Sequence, residues 1–179
     1  PPVSALLSTA LATDFSGGYP MVGGSIRLDS ARYDGKWVGN MALSLDYRQL
    51  SSSLMEMDAF LDVDTTRALS LSARYDTDTL SALPLDATVQ IPAFPLSVAN
   101  AFLPDDVARI EGVLRGNVSA SGHVDAPRLN GRLSIGNGKV DIPMIGASFR
   151  FSPAVVSMSD SHVSIDTFNI LGPNNEPLS

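Results

Sequence analysis

From Ile110 to Ile135 the side chains alternate between apolar and polar, and this period of two constrains the fold more than any other feature of the chain. Leu114, Gly116, Val118, Ala120, Gly122 and Val124 fall on one side, and Arg115, Asn117, Ser119, Ser121 and His123 on the other. Successive side chains of an extended strand point to opposite faces, so the spacing predicts a β-strand with one dry and one wet face. Asp125-Ala126-Pro127 breaks the ladder, because proline has no N–H to donate. Leu129, Gly131, Leu133 and Ile135 resume the alternation as a second strand. The pattern describes an elongated antiparallel β protein and names no reaction.

The same period runs through most of the chain. Asp34-Gly35 is a two-residue hairpin signal, and past it Trp37, Gly39, Met41, Leu43, Leu45 and Tyr47 share a face. After a polar connection at 49–53, Met55, Met57, Ala59, Leu61 and Val63 oppose Glu56, Asp58, Phe60, Asp62 and Asp64. Leu69, Leu71, Ala73 and Tyr75 form the next row, then Leu85, Ala87, Val89 and Ile91. Strands separated by polar turns at this spacing make a meander.

Elsewhere the signals are of other kinds. Val3, Leu7 and Leu11 stand at helical spacing and predict a short helix, with a strand as the alternative. Gly17-Gly18 and Gly23-Gly24 read as loops. Pro92 and Pro95 end a strand, and Pro95 opens a two-turn helix that Pro104 stops; so short a helix caps or plugs the sheet. Asn137-Gly138 reads as a second hairpin turn leading into Val140 and Ile142. Phe149 with Phe151, Val156 with Met158, Val163 with Ile165 and Phe168 with Ile170 continue the sheet. Nothing divides the chain into two domains.

Charge and composition then exclude several functions. The net charge is −7 and the chain holds two lysines, Lys36 and Lys139, so no basic stripe exists to neutralise phosphates, and nucleic acid is excluded as a partner. The same sign disfavours electrostatic adhesion to an anionic membrane. Cysteine is absent, which excludes disulfides and thiolate metal sites. Apolar residues make up 44%, enough for a core, yet no apolar run approaches the ~18 residues that cross a bilayer. The chain opens on Pro1-Pro2-Val3 without a methionine and is expected to be one piece of a larger protein.

The sequence carries no catalytic, cofactor-binding or metal-site motif. His123-x-Asp125 and Asp160-x-His162 each place a carboxylate near an imidazole, but a nucleophilic serine needs a strained turn beside its base, and no Gly-x-Ser-x-Gly elbow occurs. Solvated histidines are expected. Asp58, Asp62 and Asp64 share a strand face without the glycine-containing loop that calcium requires, and read as an exposed acidic face. Gly136-Asn137-Gly138 lacks the lysine and helix of a phosphate loop.

The stretch Ile110–Ile135 carries a resemblance as well. Gly112, Leu114, Gly116, Gly122, Pro127, Leu129, Gly131 and Leu133 resemble the repeat unit of the TamB family, the translocation and assembly module, within the AsmA-like group. Phe94-Pro95-Leu96 through Asn100-Ala101-Phe102-Leu103-Pro104 resembles the short helix that precedes the unit, and Ile165 to Leu178 the strand and turn that follow it. The resemblance covers Phe94 to Ser179 and gives a layout of N-terminal strands over 1–93, a helix over 94–104 and a repeat unit over 105–179. It implies an all-β, elongated, strongly curved, taco-like antiparallel sheet with one or two short helices and a hydrophobic interior. It also implies a non-enzymatic periplasmic protein anchored in the inner membrane and working with an outer-membrane barrel of the BamA type. The groove would carry phospholipid between the membranes, or assist outer-membrane protein assembly by sheltering nascent β-strands.

The residues expected to line that groove are Leu114, Val118, Val124, Leu133, Ile135, Val140, Ile142, Phe149, Phe151, Val163, Ile165, Phe168 and Ile170. Composition by itself favours a closed β-sandwich, which would serve as a binding or scaffold module for a protein or glycan. A glycan hydrolase on a sandwich is a further alternative, without assignable carboxylates.

Overall fold

The computed structural model describes residues 2–78, 84–151, 154–160, 162–166 and 170–171. The strands are β1 (Val3–Asp14), β2 (Met21–Tyr33), β3 (Lys36–Gln49), β4 (Leu54–Val63), β5 (Thr66–Asp76), β6 (Leu85–Pro95), β7 (Arg109–His123), β8 (Ala126–Ile142), β9 (Ala147–Phe151), β10 (Ala154–Ser159), β11 (His162–Ile165) and β12 (Ile170–Leu171). Two 3-10 segments, Leu96–Phe102 and Pro143–Ile145, complete the described elements.

All strands belong to one antiparallel sheet, ordered β1 through β8 in sequence and then β10 and β11. The far edge forks. The first part of β8 pairs with β10 over Gly131 to Ile135, and its last part pairs with β9 over Lys139 to Ile142. Strand β12 then adds to β9. Among the described residues β1 pairs only with β2, so the sheet is open and curved rather than a barrel or sandwich.

Hairpin register aligns the alternating rows into two opposite faces. Leu43 stands opposite both Ile26 and Leu61, and Leu61 opposite Leu69. Leu71 faces Val89, Val89 faces Val118, and Val118 faces Gly131. Leu133 meets Val156, and Val156 meets Ile165. The apolar rows thus join into one face crossing from β2 to β11. The other face carries a cross-strand charge ladder in which Arg48 pairs with Glu56 at 3.4 Å and Asp58 at 3.1 Å, and Glu56 also meets Arg74 at 3.6 Å. Such exposed pairs contribute about 0.2–1 kcal/mol each. They fix register more than stability, because a one-residue slip would put charges on the apolar face.

Several local expectations change. Val3–Asp14 is a strand, not a helix, because β2 offers partners from Val3↔Tyr33 to Asp14↔Met21, and tertiary pairing outweighs a short stretch of helical spacing. Gly23-Gly24 lies inside β2; Gly23 packs beneath the Asp46 carboxylate, where a Cβ would sit 2.9 Å from Oδ1. Strand β6 runs past Pro92 to Pro95, with its register shifting between Ile91 and Phe94 so that the missing N–H is tolerated. Asn137-Gly138 is a bulge within β8, not a hairpin turn. Asn137 has φ 52°, and the pairing of Glu111 with Lys139 and Val113 with Gly136 leaves one extra residue on β8.

Asp34-Gly35 does form the expected tight turn, with φ of 52° and 77°, both in the left-handed region that such hairpins require. The helix expected over 94–104 is present as the 3-10 segment Leu96–Phe102.

Two carboxylates are tuned by nearby hydrogen-bond donors. Asp141 is held below the usual carboxylate range first by Lys139, whose Nζ donates to it at 2.7 Å, and then by Ser148. Asp14 is lowered chiefly by the backbone N–H of Ser16 at 2.8 Å. A depressed folded pKa contributes stability that is present above the unfolded value and is lost as pH falls through the folded one. On acidification from neutral pH, Asp141→Asn should therefore lose less melting temperature than wild type; parallel curves would contradict the assignment.

Candidate functional site

The apolar face has almost no buried core. The buried hydrophobic side chains are Ala31, Ala59, Val63, Ala68, Ala101 and Ala154, and no large side chain is fully buried among the described residues. The accessible surface is 11171 Å², whereas a compact globular chain of this size exposes about 8,300 Å². The apolar rows are shielded mainly by one another. In β5, Leu71 and Ala73 are half-buried while Ser72 and Arg74 are exposed, the contrast expected when one face's side chains lean together.

Most expected groove residues meet on this face. Leu114 and Ile135 are directly opposite, as are Gly116 and Leu133, Ile110 and Val140, Val140 and Phe149, and Ile142 and Ala147. Phe151 follows Phe149 on the same side of β9, and Val163 and Ile165 complete the row through Met158 and Val156. Val163 and Ile165 are the most open, at 65% and 68% exposure.

Val124 lies beyond the paired rows: strand β7 ends at His123, and Val124 sits with Asp125 in the turn before β8, 56% exposed and lining a hollow with Tyr75 and Pro84. Phe168 lies outside the described residues. The backbone of Ile170 pairs with Phe151.

The expected rows understate the face. Met41, Leu43, Leu45 and Tyr47 of β3, with Met55, Met57 and Leu61 of β4, carry it across the first half of the chain. The alternation in those strands was visible in the sequence, whereas their continuity with β7 and β8 depends on the β5–β6–β7 register.

The polar face holds shallow hollows instead. One, of about 590 Å³, is lined by Arg27, Asp29, Asn40, Asp62, Asp64 and Arg67 among others. Its groups largely satisfy each other: Arg67 forks onto Asp62, and Asn40 donates through its backbone N (3.0 Å) and Nδ2 (3.3 Å) to Asp64 Oδ1. Asp64 lies in the β4–β5 turn, so only Asp58 and Asp62 share the strand face. No cluster of potential metal ligands occurs among the described residues. His123 is exposed at the end of β7, and the exposed His162 places Nδ1 3.3 Å from the Asp160 carbonyl. Neither histidine adjoins a serine in nucleophile geometry among these contacts. An open sheet face is not an enclosed cavity, so the polar hollows do not displace the apolar face as the candidate site.

The molecule is thus an open, one-sided β-sheet whose chemistry is that of an apolar surface. No family model, curated protein or solved structure matches the chain.

Proposed function

We propose that the apolar face shelters extended apolar ligands, foremost the acyl chains of phospholipid, and that the protein acts as a non-enzymatic conduit. The observation carrying this reading is the uninterrupted apolar face from β2 to β11, with no large side chain fully buried against it among the described residues. Each methylene fully sheltered from water gains about 0.8 kcal/mol, so a chain lying along the face gains a part of this at each methylene and is held without a polar pocket. The TamB-like residues from Gly112 to Leu133 support placing the protein in the bacterial periplasm, as part of an inner-membrane-anchored parent working with a BamA-type barrel. The same face would shelter nascent outer-membrane strands, the second use that this resemblance supports.

Native mass spectrometry of the purified chain, with lipid extraction alongside, tests the reading. Co-purifying phospholipid is the expected result. A chain that is lipid-free and also fails to take up added lipid would reassign the face to contact with another protein.

A further inference from the structure

The segment from Pro95 to Val107 lies along one end of the strands and touches elements far apart in the sheet. Leu96 packs over Gly112, with its Cδ1 3.4 Å from where a Cβ would stand. The Asn100 side chain grips Ile110 of β7 twice, Oδ1 accepting from its N–H at 2.7 Å and Nδ2 donating to its carbonyl at 2.9 Å. Two residues on, the Phe102 ring meets Tyr33 at the end of β2, with centroids 4.8 Å apart. Lys36, at the start of β3, donates to the Leu103 carbonyl and pairs with Asp105 at 3.0 Å. The Asp106 carbonyl accepts from Met144, just past β8. Strands β3 and β8 are five spacings apart, about 24 Å along the sheet, and this one segment joins them.

The attachments are unequal. On the β7 side the segment is held by a bidentate side-chain clamp to backbone and by Leu96 packed on Gly112. On the β2–β3 side it is held by Lys36 and by a Phe102 ring that remains 60% exposed. Asp105 is itself largely exposed, so this contact belongs to the class that opens most readily.

We propose that Pro95–Val107 is a strap hinged on β7 and latched by Lys36 to β3, and that the latch controls access of apolar ligand to the face at this end. The access role rests on the conduit reading above; the latch itself does not. With the strap seated, ligand enters from the opposite end, where the β3–β4 and β7–β8 turns lie. With Lys36 released, the strap swings on the Asn100 clamp and admits ligand along the β2–β3 rim.

The absence of native cysteine allows spin labels at Ala99→Cys and Arg27→Cys, on the strap and on β2, with their separation read by pulsed electron paramagnetic resonance. Uptake of a fluorescent fatty acid is followed in the same proteins. Lys36→Glu should lengthen and broaden the distance distribution and speed uptake roughly fivefold, the population shift that an exposed ion pair can hold. Lys36→Glu with Asp105→Lys should restore both in part, because the swap remakes the ion pair while a carboxylate at 36 cannot donate to the Leu103 carbonyl. An unchanged distribution in Lys36→Glu overturns the latch. A strap that opens without a change in uptake rate overturns the gate. Absence of uptake by every variant, with the distance change intact, overturns the conduit reading and the gate with it while leaving the latch established.

Discussion

Ile135→Glu and Val118→Arg are expected to retain the sheet and lose the lipid. Ile135 lies between Leu114 and Ala154, and Val118 between Val89 and Gly131, all on the apolar face. A charge at either position can reach water while the protein is empty, because the face is uncovered. Against an acyl chain it must be dehydrated. Placing a charged side chain in hydrocarbon costs about 3 kcal/mol, roughly a hundredfold in affinity. The folded state should therefore survive, with an unchanged far-ultraviolet circular dichroism spectrum and only a small shift in melting temperature. Asn117→Glu, one residue away on the polar face, should leave lipid retention at the wild-type level. Equal retention by Ile135→Glu and wild type would remove the apolar face from the account.

Gly116→Ala should have the opposite signature, with stability lost first. Gly116 stands opposite Leu133 with φ 149°, and a Cβ there would lie 2.1 Å from the Arg132 carbonyl oxygen and 2.9 Å from the Leu133 Cα. Both are backbone atoms and cannot rotate away. Gly131 faces the same obstacle from the other strand, its Cβ position lying 2.3 Å from the Asn117 carbonyl oxygen. Strands β7 and β8 therefore leave no room for a Cβ at either of these two glycines, and alanine must push them apart in the longest pair of the sheet. The expected cost is about 2–4 kcal/mol, read as a melting temperature lower by roughly 10 °C. Gly17→Ala, with nothing within 4 Å, should be neutral by comparison. A Gly116→Ala protein that melts with wild type would mean that β7 and β8 do not pair in this register.

Some of this architecture could be read in the sequence and some could not, for identifiable reasons. The alternation in β3 through β8 was legible because those strands are long and their two faces differ in polarity, except at Trp37, which a register shift at Gly39 takes out of phase with Met41. Where one local signal serves two structures, the sequence did not choose. The interval of four that joins Val3, Leu7 and Leu11 suits one face of a helix, but four is also even, so it suits one face of β1; pairing with β2 decides. Asn-Gly supplies left-handed backbone equally well to a tight turn or to a bulge, and only the match of Lys139 to Glu111 carries β8 onward. Val124 has the correct parity for the apolar face, but the chain turns one residue before it. The openness of the face is likewise not a local property. Half-buried rows would look the same beneath a second sheet, and only the strand order shows that none covers them among the described residues. The strap is legible as a proline-bounded helix, whereas its reach to Tyr33 and Lys36 is not.

Site-specific photo-crosslinking to a clickable phospholipid tests the central claim most directly. A photoreactive amino acid is placed singly at Val89, Val118 and Ile135 on the apolar face, and at Asn117, Ser119 and Ser134 on the polar one. Lipid adducts confined to the first three positions are the predicted result. Adducts spread equally over both faces, or found at none of the six, would contradict it.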